Sequence, residues 1–507
     1  MKKIAFALIP LAYLTFLLFQ QDLSMMSDLG RHLKMGEIVL DCMCVPQTNL
    51  FSYTDPNFPI VNHEWLVQVI FYLTSVWFGL HGLLILKMII IIISFSLMYL
   101  VAMRYGSTFW TVIFSLLGIT IFSTRFFVLP ELFSYLFIAL FIFIIEKYKE
   151  SKKYYLLWIL PLIELFWINT HIYFILGLGI YFFFIGSELI KTKAVNKRLI
   201  IIGIVLILST FINPSFIKGA ILPFTFHSNY NFSVEENKSP FKILESSSTN
   251  TNLASTLLLQ IAVFDVLFIL FLVCFFLKKN WKDLYFLGIG SMGFFLGTLF
   301  FRCISLFGIL GYFVLIKTFT EIEEKLRKGM STYSINAIKG GITLIVLLIV
   351  VFHIKGLFDH RILGFYFVPS AENAVTFIKK ANIQGRIFNN YIIGNYLIYG
   401  LYPNEKVYID ARPEAYSGSI FDDYYRMMSD EKFFNKQVKK YNINAVIFNV
   451  AMDDPAIIRP FLIRLLATDN WVPIYVDGTV TILVRNNHIN KHVIDTYKIT
   501  VPQKLND

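Results

Sequence analysis

The chain has 507 residues, of which 56% are hydrophobic and only 16% charged, and its formal net charge is +11. Globular domains average about 25% charged residues, so this composition excludes a disordered chain and a nucleic-acid-binding protein taken as a whole. In a membrane protein an excess of Lys and Arg collects in cytoplasmic loops and sets orientation, which accounts for the charge without an acidic partner.

The chain opens Met1-Lys2-Lys3 and runs into an apolar stretch over 4–20 with no small-x-small cleavage motif after it, so it reads as an uncleaved first span. Further apolar runs follow at 80–103, 107–124, 131–146, 154–170, 172–190, 198–213, 253–277, 282–300, 303–319 and 338–355. That makes about eleven transmembrane helices, although several runs fall short of the ~20 residues of a perpendicular span. The connections alternate in charge. Lys2, Lys3 and Arg104 fall on one side, with Lys147, Lys149, Lys152 and Lys153, then Lys191, Lys193, Lys197 and Arg198, then Lys278, Lys279 and Lys282, then Lys325, Arg327 and Lys328. The positive-inside rule makes that side cytoplasmic. Loops 21–79 and 214–252 and the tail 356–507 then lie outside.

The tail changes period. Strands are expected at 407–409, 445–448, 474–476 and 480–484, and helices at 372–380, 431–441 and 455–467. The expected fold is therefore mainly α: a polytopic transmembrane domain over 1–355 and a C-terminal extracytoplasmic α/β domain over 356–507. The tail carries no glycine-rich phosphate loop and no Ser-His-Asp signature. Cys274 and Cys303 sit in apolar runs and read as core residues. Cys42 and Cys44 are too close in sequence for an ordinary disulfide and lack a partner pair for zinc.

Polar chemistry gathers in the outer loops. Asp28, Arg31 and His32 share one helical face by their offsets of three and four. His63 and Glu64 precede an apolar stretch, 65–78, read as an interfacial helix anchored by Trp65. A purely structural reading pairs Asp28 with Arg31 and makes His63 and Glu64 helix caps. Arg125 and Glu131, Asn169 and His171, Arg302, and Glu235 and Glu236 fall at outer helix ends or in the outer loop 214–252. Ionisable groups at membrane depth are costly and face a cavity or a partner, and two Arg with His and carboxylates suit a phosphorylated lipid; the structural alternative has them touching headgroups.

The succession of motifs resembles the GT-C-type polytopic glycosyltransferases that use lipid-linked sugars, such as oligosaccharyltransferases and protein mannosyltransferases, and especially their bacterial membrane-protein relatives. The matching pieces are Asp28-Leu29-Gly30-Arg31-His32-Leu33 with Gly36, Phe51-Ser52-Tyr53-Thr54, His63-Glu64-Trp65-Leu66, Arg125 with Pro130-Glu131, and Asn169-Thr170-His171. They continue with Asn213-Pro214, Glu236-Asn237-Lys238-Ser239-Pro240, Arg302-Cys303-Ile304, Asn389-Asn390-Tyr391, Gly394-Asn395-Tyr396-Leu397 and Ile409-Asp410-Ala411-Arg412. In that class an acidic residue of the first outer loop lies near the reacting centre, and Asp28 matches its placement. Loop 21–79 has no Asp-x-Asp, so no metal and no cofactor is expected.

The resemblance implies transfer of a sugar from a polyprenyl-phosphate donor to a lipid, glycan or protein acceptor of the envelope. It implies an inverting enzyme of the inner (plasma) membrane. Asp28, then Glu64, are the candidate bases. Arg31, His32, His63, Arg125, Glu131, His171 and Arg302 are the candidate substrate ligands. The alternatives are a non-catalytic envelope assembly protein and a lipid or solute transporter. A transporter asks for inverted repeats or helices broken near the midplane, and the sequence gives no sign of either.

Overall fold

The structure is a computed structural model that describes residues 2–194, 196–225, 237–246, 254–277, 284–359, 362–451 and 455–500. Glu235, Glu236, Lys278, Lys279 and Lys282 lie outside the described residues. The chain is mainly helical with one small C-terminal sheet. It divides into two compact units, one drawn from Met1–Asp22, Leu80–Pro223 and Ser233–Tyr366, the other from Leu23–Gly79, Phe224–Phe232 and Phe367–Asp507.

The first unit is an apolar helix bundle. Among the described residues five helices are long and apolar enough to cross a membrane, or six if one bent pair counts as a span. That pair, Phe301–Leu310 and Tyr312–Leu326, bends by 44°, where the sequence suggested one straight run over 303–319. A side chain at Gly311 would run into the Phe307 ring, so the bend sits where backbone and ring pack without a Cβ. Helix Thr108–Phe122 is the hub, buried from Trp110 to Phe122. It crosses helix Ile304–Leu310 at Gly118 and Gly308, where a Cβ on either would meet the other's carbonyl oxygen at 2.8 Å. Small residues allow such close approach in an apolar solvent that gives little hydrophobic drive for helix pairing.

Polar groups of this unit collect at two ends of the hub helix. Where it begins, Trp110 Nε1 donates to Glu323 (2.9 Å), which also holds Lys339, and Lys149 donates to Glu146 (2.7 Å) and Tyr105 (3.0 Å). Where it finishes, Tyr13 joins His353 Nδ1 (2.6 Å) and Thr120 (3.1 Å), while Gln260 reaches Ser123 (3.2 Å).

The second unit holds loop 21–79 and the sheet. Helix Leu29–Cys42 packs across the stretch that starts at Trp65. At Gly36 a Cβ would lie 2.1 Å from the Gln68 carbonyl oxygen, so the crossing admits only glycine. The helix from Trp65 to Ala102 breaks at Gly79, whose φ of 67° and ψ of −175° suit glycine almost alone. The sheet has strands β1 (Arg386–Asn389), β2 (Ile443–Asn449), β3 (Trp471–Val476) and β4 (Val480–Arg485) in the order β1-β2-β4-β3. β1 and β2 are parallel, with helices between them; β4 runs antiparallel to both β2 and β3. β2 is buried along its whole length, as a central strand covered on both faces must be. Asp477 accepts from the amides of Thr479 and Val480 and closes the β3–β4 hairpin at Gly478. Phe388, Phe434, Phe448, Phe461 and Trp471 centre the core.

Two sequence expectations are corrected here. Residues 407–409 are no strand, and β1 lies at 386–389 instead. The Asn389 side chain takes the Tyr408 amide (2.8 Å) and the Ile409 carbonyl (2.7 Å), which uses the groups a ladder would need. Cys42 and Cys44 do form a disulfide: Met43 between them adopts a left-handed turn (φ 51°) that sets their Cα atoms 5.1 Å apart, inside the usual range. Cys274 and Cys303 are buried thiols, and Cys303 Sγ lies 3.2 Å from Tyr173 OH.

Candidate functional site

The candidate residues fall into the two units, five in one and four in the other. In the second unit the first loop brings Asp28, Arg31, His32, His63 and Glu64 into one network. Asp28 stands just before helix Leu29–Cys42 with its side chain one-third exposed. It accepts from Asn395 Nδ2 (2.9 Å) and faces Arg31 at 3.6 Å. Arg31 is buried, and its Nε has no hydrogen-bond partner among the described residues. Its Nη2 lies 3.4 Å from His32 Nε2. His32 Nδ1 is 3.8 Å from Glu64, and Glu64 is 3.7 Å from His63 Nε2.

Arg31, His63, Glu64, Gln68, Arg412 and Glu414 line a recess of about 20 Å³, room for roughly one water. Behind it Arg412 forms a bidentate pair with Asp410 (2.7 Å for each bond), bonds Asn49 (2.8 Å), and Tyr416 donates to the same carboxylate at 2.7 Å. Burial alone would raise the Asp410 carboxyl, but the Arg412 guanidinium outweighs it and holds Asp410 below the usual carboxylate range. Glu414 goes the other way. Burial pushes it up, and its own backbone amide, Arg31, Arg412 and His63 only partly offset that.

In the first unit the candidates gather round the start of helix Glu131–Ser151. Arg125 Nε pairs with Glu131 at 2.5 Å, both side chains largely buried. One turn on, Ser134 accepts from Trp167 Nε1 (2.9 Å) and bonds His171 Nδ1 (3.0 Å). The His171 and Tyr173 rings meet edge to face at 4.4 Å. Tyr173 OH accepts from Arg302 Nε at 3.3 Å, and Arg302 also reaches Asn237 (3.4 Å). Tyr135 OH closes the set on Ser305 at 3.0 Å. Asn169 instead bonds the Leu165 and Ile212 carbonyls (2.8 and 3.0 Å), a loop anchor. Among the described residues no group of three His, Cys, Asp or Glu is arranged to hold a metal ion.

No protein-family model matches this sequence, and no curated protein matches it either. Solved structures do match the fold. The archaeal oligosaccharyltransferase AglB from Archaeoglobus fulgidus, in complex with an inhibitory peptide and a dolichol-phosphate, is 10% identical with a TM-score of 0.60, over 95% of this chain and 74% of that one. ArnT from Cupriavidus metallidurans, bound to undecaprenyl phosphate, is 10% identical with a TM-score of 0.54, over 96% and 98%. The chain has the GT-C glycosyltransferase fold.

Within that fold, two charge assemblies escaped the sequence reading. Lys87 and Asp22 form a fully buried pair at 2.8 Å, and Asp22 also accepts from the Val128 amide (3.0 Å). A lone Lys inside an apolar run was the signal for it. Asp410 and Arg412 were legible as a motif, but their role in holding the recess was not. Only the fold brings Asn49 and Tyr416 to them.

Proposed function

We propose that this multi-pass membrane protein transfers a sugar from a polyprenyl-phosphate donor to an envelope acceptor at the outer leaflet of the inner membrane. In this reading 1–355 spans the membrane about eleven times, a count set by apolar run length, and 356–507 is the extracytoplasmic domain. The GT-C fold supports the reaction class. The observation that carries the assignment of roles is the first-loop network, in which a one-third-exposed carboxylate is held beside a buried arginine that retains donor capacity.

Asp28 takes the proton as the acceptor oxygen attacks the anomeric carbon. The bond from that carbon to the phosphate oxygen breaks with inversion, and the lipid phosphate leaves with the charge. Arg31 sets its positive charge 3.6 Å from the Asp28 carboxylate, and Glu64, beside His32 and His63, is the second candidate base. Arg302, which donates to Tyr173 and Asn237, meets the growing phosphate charge with a planar fork. Arg125 stands with it, oriented by Glu131, and His171 assists. The test is transfer from a labelled polyprenyl-phosphate sugar to membrane acceptors by wild type, Asp28→Asn and Arg302→Lys. Transfer lost in Asp28→Asn and donor use weakened in Arg302→Lys supports the reading. Wild-type turnover in Asp28→Asn removes Asp28 from it, and a wild-type protein inactive across a broad donor panel points to a non-catalytic assembly protein.

A further inference from the structure

A second recess lies in the helix bundle. It is a cavity of about 360 Å³, within the ~300–1,000 Å³ of ordinary ligand sites. Its walls come from three helices: Phe6 and Ile9; Phe109, Val112, Ile113 and Leu116; and Thr343, Val346 and Leu347. Phe6, Ile9 and Leu347 are half-exposed, so the cavity opens sideways from the bundle. From Thr108 to Leu116 it follows two turns of the hub helix, about 12 Å at 1.5 Å per residue.

One end of this groove is apolar and the other is cationic. Lys339 stands one turn before Thr343 on the same helix face, and its Nζ lies 4.7 Å over the ring of Phe109, a groove residue. Lys339 and Arg327 both pair with Glu323 at 2.6 Å, so two cations share one carboxylate. Arg327 spends two of its N–H groups on Glu323 and is nearly half-exposed, and a guanidinium has five. Lys325 and Lys328 stand exposed beside it.

We infer that this groove binds one acyl chain of an anionic phospholipid whose phosphate lies against Arg327 and Lys339. An apolar slot with a cationic mouth matches an amphiphile with a net negative head; a zwitterionic lipid offers the same phosphate but also brings an ammonium group that Arg327 and Lys339 repel. The polyprenyl-phosphate donor is not the occupant, because its proposed cations, Arg125 and Arg302, belong with the other end of the hub helix. The inference rests on the bundle being membrane-embedded and does not need the protein to be a transferase.

The test is lipid retention by the full chain in detergent, measured by native mass spectrometry with added phosphatidylglycerol or phosphatidylcholine. The expected result is a phosphatidylglycerol adduct at least about tenfold stronger than the phosphatidylcholine one, the scale set by one or two basic residues beside a lipid of net negative charge. Leu347→Trp, which fills the slot from a half-exposed position, should weaken it by about tenfold through overpacking, and Arg327→Gln, which removes a head contact, should weaken it by about tenfold. Equal retention of the two lipids, retention unchanged in both variants, or displacement by equimolar undecaprenyl phosphate would overturn the inference. A protein that keeps phosphatidylglycerol but transfers no sugar refutes the proposed activity and leaves the lipid site standing.

Discussion

The bundle and the first loop treat charge in opposite ways. In the bundle, Lys87 and Asp22 are fully buried at 2.8 Å, and Arg125 meets Glu131 at 2.5 Å. In the first loop, Asp28 and Arg31 stand 3.6 Å apart, Glu64 lies 3.8 and 3.7 Å from His32 and His63, and Asp28 is one-third exposed. A buried ion must be matched closely because its desolvation cost is met only by good geometry. The partly exposed Asp28 carboxylate escapes much of that cost, although Arg31 beside it is buried. The Lys87–Asp22 pair is therefore architecture, the partly exposed Asp28 marks the candidate chemistry, and Arg125 is a candidate ligand that its close pairing with Glu131 holds in place.

The sharpest way to break this comparison is at Asp28. Asp28→Asn keeps the shape and the Asn395 contact while removing the base. Transfer should fall by about 10²–10⁴-fold, the usual contribution of general-base assistance, with the unfolding temperature in detergent little changed. A variant that loses stability instead of turnover would move Asp28 into the architectural class.

The converse experiment is Lys87→Met. It leaves the Asp22 carboxylate buried without its cation, a change that costs about 3–5 kcal/mol in other proteins. Denaturation in mixed micelles should show a loss of that order. Combining Lys87→Met with Asp22→Leu should recover much of it, because no buried charge remains. If the single variant is as stable as wild type, the pair is not architectural.

Glu164 gives a smaller effect of opposite sign. Its carboxyl is fully buried with no hydrogen-bond partner among the described residues, and a Cβ on Gly177 would meet its Oε2 at 2.5 Å. An unsatisfied buried polar group costs about 1–3 kcal/mol, so Glu164→Leu should stabilise the bundle by roughly that amount. A loss of stability on the same scale would mean that the carboxyl has a partner in the membrane, and it would then stand with the tight pairs.

What the sequence could and could not reveal follows the same division. Helices at 372–380 and 431–441, the strands at 445–448 and 480–484, and a break after the 65–78 stretch were readable, because period, turn residues and Gly79 act locally. The first-loop candidates were readable too, since Asp28, Arg31 and His32 lie one turn apart. Three things needed the fold. Residues 407–409 look like a strand until Asn389 is known to occupy their amide and carbonyl. The bend at Gly311 depends on the Phe307 ring. The Lys87–Asp22 pair joins positions 65 residues apart. Tertiary contacts override local preference at each of these places.

The smallest effect concerns pH and the recess. Glu414 shares it with Arg31, His63, Glu64 and Arg412. Burial raises its carboxyl above the unfolded value, with its own backbone amide and the cations Arg31, Arg412 and His63 opposing. A folded-state value above the unfolded one means that the native protein binds this proton more tightly. The resulting stability is fully present below the unfolded pKa of about 4.3 and is lost as pH rises through the folded value. Glu414→Gln removes the titration. The variant should therefore gain on wild type in unfolding temperature as pH rises from mildly acidic to neutral, with the two converging at the acid end. Asp410 has the reverse sign, because Arg412 holds it low, so its contribution persists through this window and is lost only on further acidification. Repeating the pair of measurements in a His63→Gln background separates Glu414 from the imidazole beside it. A gap between Glu414→Gln and wild type that stays constant with pH in both backgrounds would show that the recess hydrates Glu414 as freely as the unfolded chain does.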